Sequence, residues 1–274
     1  MSVRVIVVKL GCIASTTLLE SLLDERASRE DIVVRSFSSG TKMDVQSARE
    51  VGTLAASVKS DLFLVVSPNA SLREPKILAK NLAKKAPTVV VSDAPAKKAV
   101  QDFERSQVGY IIIEADSLIG VRKEFLDPIE MALFNSDVIR VLAVTGAFRV
   151  LHEEIDRVIE SVKKSKAWLP RLIVDKEVAV RKGEFSNPYA KAKAMASFEM
   201  ARLAGQISAE GAYKVKERGR YLTIVASAHE LMREAALLAD QAREIEKAED
   251  KVSRYVHSND GTMKMKKGLF DNLR

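Results

Sequence analysis

The sequence predicts an α/β fold: a doubly wound, Rossmann-like parallel sheet joined to a helical region that carries a small β-hairpin appendage. Three observations point there. Short runs of β-branched apolar residues alternate with helix-compatible segments up to about residue 115; long helical patterns take over after it; and two strand-like interruptions break those patterns. The runs cover residues 3–8, 32–37, 62–66, 88–91 and 110–113, and they are apolar on successive positions rather than on alternate ones. That texture belongs to strands covered on both faces, the habit of parallel sheets flanked by helices. Helix-compatible segments at 16–26, 44–59, 72–85 and 97–107 complete a βαβαβαβαβ alternation, so residues 1–115 are expected to form one Rossmann-like α/β domain.

Residues 116–274 are expected to form the helical domain. Asp127 suits an N-cap and Pro128 the first helical position. Phe148, Leu151, Ile155, Val158 and Val162 recur at three- and four-residue steps, as do Leu231, Ala235, Leu238, Ala242 and Ile245, so each set marks one buried stripe. The Ala-rich segment 189–204 would let helices approach closely. Strand-like stretches at 171–180 and 212–224, the second with a charged turn at Glu217-Arg218-Gly219-Arg220, predict the β-appendage. An appendage of that kind often makes subunit contacts, which predicts a homo-oligomer.

Composition narrows the function. No apolar run approaches the roughly 20 residues a bilayer demands, and the N-terminus leads straight into a strand pattern, so the reading is a soluble, cytoplasmic protein with no membrane partner. Cys12 is the only cysteine and His152, His229 and His257 the only histidines, which excludes an intrachain disulfide and a cysteine-rich metal site; no metal is expected. The net charge of +7 is spread among interleaved acids and bases, as in Arg243-Glu244-Ile245-Glu246-Lys247, and no nucleic-acid-binding signature accompanies it. An anionic cofactor or substrate would use the same charge.

Ligands of open parallel sheets bind beyond the carboxyl ends of the strands, so the segments after each strand are the candidate site. In the first, Lys9, Gly11, Cys12 and Ile13 precede a helix start that could offer backbone N–H groups to an anion. With one glycine where a dinucleotide turn uses three, a nicotinamide site is disfavoured. In the second, Ser39, Gly40 and Thr41 combine hydroxyls and a glycine with the cation of Lys42. In the third and fourth, Ser67-Pro68-Asn69 and Asp93-Ala94-Pro95 form tight turns whose Asn or Asp could equally cap the next helix. No nucleophile elbow or catalytic triad appears, so no catalytic side chain is assigned. His152 reads as solvent-facing or capping, His229 as opening a helix where it could touch a ligand, and His257 as lying in a polar loop.

Ordered motifs along nearly the whole chain resemble one family. They include Leu23-Asp24-Glu25-Arg26-Ala27, Lys42-Met43-Asp44, Asp93-Ala94-Pro95, Arg122-Lys123-Glu124-Phe125-Leu126-Asp127-Pro128, Thr145-Gly146, Asn187-Pro188-Tyr189-Ala190 and Ser227-Ala228-His229-Glu230. The chain resembles the deazaflavin-dependent methylenetetrahydromethanopterin dehydrogenases of methanogens and related archaea. That resemblance implies reversible hydride transfer between methylenetetrahydromethanopterin and the deazaflavin coenzyme F-420, giving methenyltetrahydromethanopterin, without a metal, in a homohexamer built from dimers. The two ring systems would do the redox chemistry while the protein aligns them. The four loops would hold the coenzyme, and Gly120, Arg122, Lys123, Asp127, Asn135 and His229 the pterin.

The likeness departs at the loops. The family's Lys-x-Gly-Asn-x-Gly has Cys12 and Ala14 at its last two defined positions here, and Ser67, Ala70, Ser92 and Ala96 stand where the family carries glycine or proline. Such exchanges could reshape a crevice that glycines keep open. They define the alternative reading: a paralogue that keeps the fold and pterin binding but has lost deazaflavin-dependent dehydrogenation for an altered cofactor or a regulatory role.

Overall fold

The computed structural model describes residues 2–117, 125 and 127–274. The five apolar runs fold as β1 (Val3–Lys9), β2 (Ile32–Ser38), β3 (Leu62–Ser67), β4 (Thr88–Asp93) and β5 (Gly109–Ile113). All pair in parallel, and β6 (Arg171–Val174) adds to β5, giving the order β2-β1-β3-β4-β5-β6. Alternate side chains serve two layers. Val3, Val5 and Val7 of β1 face α1 (Ala14–Leu23), α5 (Pro128–Thr145), α6 (Ala147–Lys163) and α8 (Pro188–Ala209). Ile6 and Val8 face α2 (Val45–Ser57), α3 (Arg73–Ala83) and α4 (Val100–Arg105). Each fully buried branched side chain contributes roughly 1.5–3 kcal/mol, so the sheet is the main store of hydrophobic stabilisation. β2 departs from the expectation of two covered faces: as an edge strand it leaves Val33, Arg35 and Ser36 exposed.

Asp127 caps α5 as expected, accepting from the Glu130 N–H at 2.8 Å. Gly146 turns the chain between α5 and α6 through 69° with φ +98°. A Cβ there would lie 2.3 Å from the Ala179 carbonyl, so the corner requires glycine. Phe148, Leu151, Ile155 and Val158 form the buried stripe of α6. In α8, Ala190, Ala194, Ala201 and Ala204 are fully buried, and the Ser197 hydroxyl donates to the Ala235 carbonyl of α9 (Arg218–Ala248) at 2.7 Å. Met232, Ala235 and Ala236 of α9 belong to the same hydrophobic core as the sheet. Among the described residues no single helix is long and apolar enough to cross a membrane; α5 and α6 together, bent at Gly146, pass that test by length and composition only.

Three expectations are corrected. Residues 171–180 are no appendage: 171–174 are the sixth strand and Lys176–Gly183 is helix α7. Residues 212–224 are helical, a π turn at Glu210–Lys214 followed by α9, because Tyr221, Val225, Ala228 and Met232 repeat at helical spacing and are buried together. The antiparallel hairpin lies instead at β7 (Arg254–His257) and β8 (Met263–Lys266), joined through an Asp260-Gly261 turn.

Charge holds this hairpin down. His257, expected in a polar loop, is buried; its Nε2 lies 2.7 Å from Asp156 Oδ2 and its Nδ1 3.0 Å from Glu25 Oε2. Arg29 fills the space beside it, bidentate to Asp31 at 2.9 and 2.7 Å and 3.0 Å from both Asp156 Oδ1 and the His257 ring. Lys163 adds a second cation on Asp31 at 2.7 Å, and half-buried His152, expected to face solvent or cap, packs edge-on against the His257 ring. A neutral imidazole has one N–H for two facing carboxylates; the imidazolium satisfies both. Burial and the neighbouring Arg29 cation oppose the charge on His257, but Asp156 and Glu25 outweigh them and raise its pKa. The stabilisation is therefore complete below the ordinary histidine range and lost as pH rises through the elevated value. We expect amide exchange of residues 254–266, corrected for intrinsic rates, to accelerate as pH rises above the ordinary histidine range. His257→Ala, which removes the partner of Glu25 and of Asp156 Oδ2, should cost about 3 kcal/mol in denaturant unfolding and abolish that pH dependence.

Candidate functional site

The strand order reverses between β1 and β3, so their carboxyl ends open the crevice where doubly wound proteins bind ligands. Three loops meet there at Gly11. Its φ is +79°, and a Cβ would stand 2.8 Å from Met43 Sδ and 2.9 Å from Pro68 Cδ. Its N–H donates to Ser39 Oγ at 3.4 Å, the Ser39 N–H donates to the Lys9 carbonyl at 3.0 Å, and the Cys12 thiol reaches the Gly40 carbonyl at 3.7 Å. The structure thus brings together Gly11, Cys12, Ser39, Gly40 and Pro68, while Thr41 is exposed at the rim. Lys9 is used differently: its Nζ pairs with Glu20 of α1 at 2.7 Å. Ile13 is buried at the start of α1, its N–H bonded to Thr16 Oγ1 at 2.9 Å. Asn69 is satisfied locally, accepting from the Ser71 N–H at 3.1 Å and the Ser71 hydroxyl at 2.5 Å.

The exchanged loop positions face inward. Ala14, Ser67, Ala70, Ser92 and Ala96 have no exposed surface, and the Ser92 hydroxyl stitches two loops by donating to the Ser67 carbonyl at 2.6 Å and accepting from the Ala70 N–H at 3.1 Å. These side chains are packed into protein interior rather than exposed at the crevice, so their exchange gives no ground for a lost coenzyme site. Only Cys12 is part-exposed among the exchanges.

At the ends of β4 and β5 sit carboxyls. Asp93 precedes a short 3-10 turn (Ala94–Ala99) that contains Pro95. Burial raises its pKa strongly, helped by Asp116 and Glu114, against the Ala94 N–H and Lys97. Asp116 is fully buried at the start of α1, accepting from the Ser15 N–H at 3.1 Å and from the Ser15 hydroxyl; burial lifts it to about 7. Sequence reasoning missed Asp116 and Ser15, although an acid just after the apolar run 110–113 is the signal that could have marked it.

On the pterin side, Gly120, Arg122 and Lys123 lie outside the described residues. Asp127 is engaged as the α5 cap. His229, expected to open a helix, lies in the middle of α9, where its ring packs against Phe134 and Phe125 at 4.6 and 4.7 Å and its Nδ1 sits 3.1 Å from Glu130 Oε1. Burial lowers its pKa despite Glu130, favouring the neutral ring. His229 Nε2 and Asn135 Oδ1 are buried without a partner among the described residues. Glu130, Phe125 and Phe134 were not singled out from sequence. A separate groove of about 640 Å³ runs between α2 and α3, lined by side chains such as Arg49, Thr53, Ile77 and Asn81 and by none of the loop residues above.

The family model described as methylene-5,6,7,8-tetrahydromethanopterin dehydrogenase matches residues 3–274. The chain belongs to that family. Family members named F-420-dependent methylenetetrahydromethanopterin dehydrogenase include one from Archaeoglobus fulgidus, 53% identical over 262 residues and 95% of each chain. Another, from Methanocaldococcus jannaschii, is 46% identical over 274 residues and 99% of each chain. A solved dehydrogenase in complex with methylene-tetrahydromethanopterin and coenzyme F-420 superposes with a TM-score of 0.97 over 100% of both chains at 38% identity.

Gly11→Ala should test the convergence of the loops. Positive φ and the contacts with Met43 and Pro68 together cost about 1–3 kcal/mol of stability. Loops pushed apart should weaken coenzyme F-420 in fluorescence titration by at least about tenfold, an affinity loss of about 1.4 kcal/mol; native affinity would place the coenzyme elsewhere.

Proposed function

We propose that this chain transfers a hydride reversibly between methylenetetrahydromethanopterin and coenzyme F-420, giving methenyltetrahydromethanopterin. The observation that carries the reading is the end-to-end superposition on a dehydrogenase complexed with that substrate and coenzyme. The crevice at Gly11 supports it: a positive-φ glycine under two neighbouring loops, with the family's exchanged glycines facing protein interior. In this reading Gly11, Cys12, Ser39, Gly40, Thr41, Pro68 and Asp93-Ala94-Pro95 hold the deazaflavin. Arg122, Lys123, Asn135 and His229 hold the pterin, with Phe125 and Phe134 walling His229. Residues 1–115 thus bear the coenzyme half and 116–274 the substrate half. The bound deazaflavin supplies the hydride acceptor; the protein supplies alignment and exclusion of water.

The enzyme works in the cytoplasm as a homohexamer built from dimers. Large apolar side chains stay exposed on α5, α8 and α9, helices that pack on one another (Ile129, Leu133, Tyr189, Leu203 and Leu237), and offer surface for subunit contact.

Mixing the purified protein with methylenetetrahydromethanopterin and oxidised coenzyme F-420 should bleach the deazaflavin absorbance. A folded protein that leaves an active coenzyme unbleached overturns the reading. Arg122→Ala should weaken pterin binding by about tenfold or more, the loss of one hydrogen bond to a charged group, with little change in thermal stability; unchanged affinity removes Arg122 from the site.

A further inference from the structure

Asp93 combines three properties that structural capping does not explain. It ends β4 at the coenzyme edge of the sheet and occupies the N-cap position of the following 3-10 turn, yet its side chain makes no capping bond. It is only 8% exposed, so its carboxyl is almost removed from bulk water. Its Oδ1 is wholly buried and has no hydrogen-bond partner among the described residues. A carboxylate left in that state would be costly, whereas a carboxylic acid carries no charge to desolvate.

The groups that face it favour the acid. Asp116 and Glu114, from the segment after β5, add negative charge; Lys97, from the turn after β4, opposes them but is itself paired with Glu114. The Ala94 N–H gives limited support to the charged form. Asp116 is the other buried acid, but both its oxygens are occupied by Ser15. Asp93 keeps the free oxygen.

Resting on the proposed dehydrogenase reading, we propose that Asp93 delivers the proton that must accompany hydride transfer to the deazaflavin. The balance requires one. The methylene C–H bond breaks with its electron pair, leaving the methenyl cation. The deazaflavin receives that hydride at C5 and ends as the neutral dihydro form only by gaining a proton at N1. Asp93 gives up its carboxyl proton and becomes a carboxylate, which regains a proton from solvent after release. In the reverse direction the carboxylate accepts the proton as hydride returns to the methenyl carbon. The energetic logic is that of a general acid whose proton affinity is lifted toward working pH by burial and neighbouring carboxylates.

The test has one arm without substrate. Infrared difference spectroscopy of the ligand-free protein at neutral pH should show protonated-carboxyl absorbance of which one component is lost in Asp93→Asn and kept in Asp116→Asn, beside a separate Asp116 component. In initial-rate assays at saturating ligands, coenzyme reduction should fall as pH rises through the Asp93 transition and coenzyme oxidation should fall as pH drops through it. At saturating coenzyme F-420, Asp93→Asn should lose about 100-fold in kcat, as for removal of a general acid, and lose both pH limbs; Asp93→Glu should restore part of the rate and the limbs. An Asp93→Asn enzyme with wild-type kcat and profile, or a wild type with no protonated carboxyl band assignable to Asp93, overturns the proposal. If Asp93→Asn fails to fold, Asp93→Glu and the opposed wild-type profiles decide it. Wild-type protein that carries the band but does not bleach the coenzyme refutes the dehydrogenase reading and, with it, the proton's destination.

Discussion

Everything at the candidate site depends on β1 being parallel to neighbours on both sides, with β2 on one flank and β3 on the other. That pairing sends three loops toward one point, and at that point there is no room for a side chain: Gly11 lies under Met43 and Pro68 in a conformation that L residues rarely adopt. Hydrophobic burial of the sheet supplies the rigidity that holds the loops in place, and the loops supply the shape. The exchange of family glycines for Ala14, Ser67, Ser92 and Ala96 is tolerated for the same reason. Those positions are buried in packed interior, whereas at the convergence itself Gly11 is retained.

The helical part is tied to the sheet by two kinds of interaction with different consequences. The first is apolar and continuous: β6 joins the sheet from beyond α6, and α9 shares a core with β1 and β3, so movement of the helical part would strain the sheet. The second is ionic. Arg29, Asp31, Asp156, Glu25, Lys163 and His257 form a mostly buried network between the loop after α1, helix α6 and the hairpin. Such networks add little net stability over apolar packing, but removing one member is costly, so they fix where the hairpin docks more than how strongly.

Much of the fold was legible because strand burial and helix capping leave local traces. The runs at 3–8, 62–66 and 88–91 are apolar on both faces because both faces are covered, and Asp127-Pro128 starts a helix because each residue solves a local problem there. The errors came where local pattern and tertiary context disagree. Leu222-Thr223-Ile224-Val225 is β-branched enough to read as a strand, yet Tyr221, Val225 and Ala228 bury one helical face against α8. His257 looked like a loop residue because the carboxylates that bury it, Glu25 and Asp156, are 232 and 101 positions away. At the candidate site, the loops could be located from strand ends, but which side chains face the crevice could not. Lys9 turned to Glu20 and Asn69 to Ser71, whereas Asp116, with no motif around it, lies at the start of α1.

We propose that the coenzyme binds at the strand ends around Gly11 and not in the groove between α2 and α3. Hydrogen–deuterium exchange with and without coenzyme F-420 tests it directly. Protection is predicted in segments 9–13, 39–43, 67–70 and 93–97, with α2 and α3 unchanged beyond residue 49. Protection confined to residues 49–57 and 73–85, with the four loops exchanging as in the free protein, would contradict it.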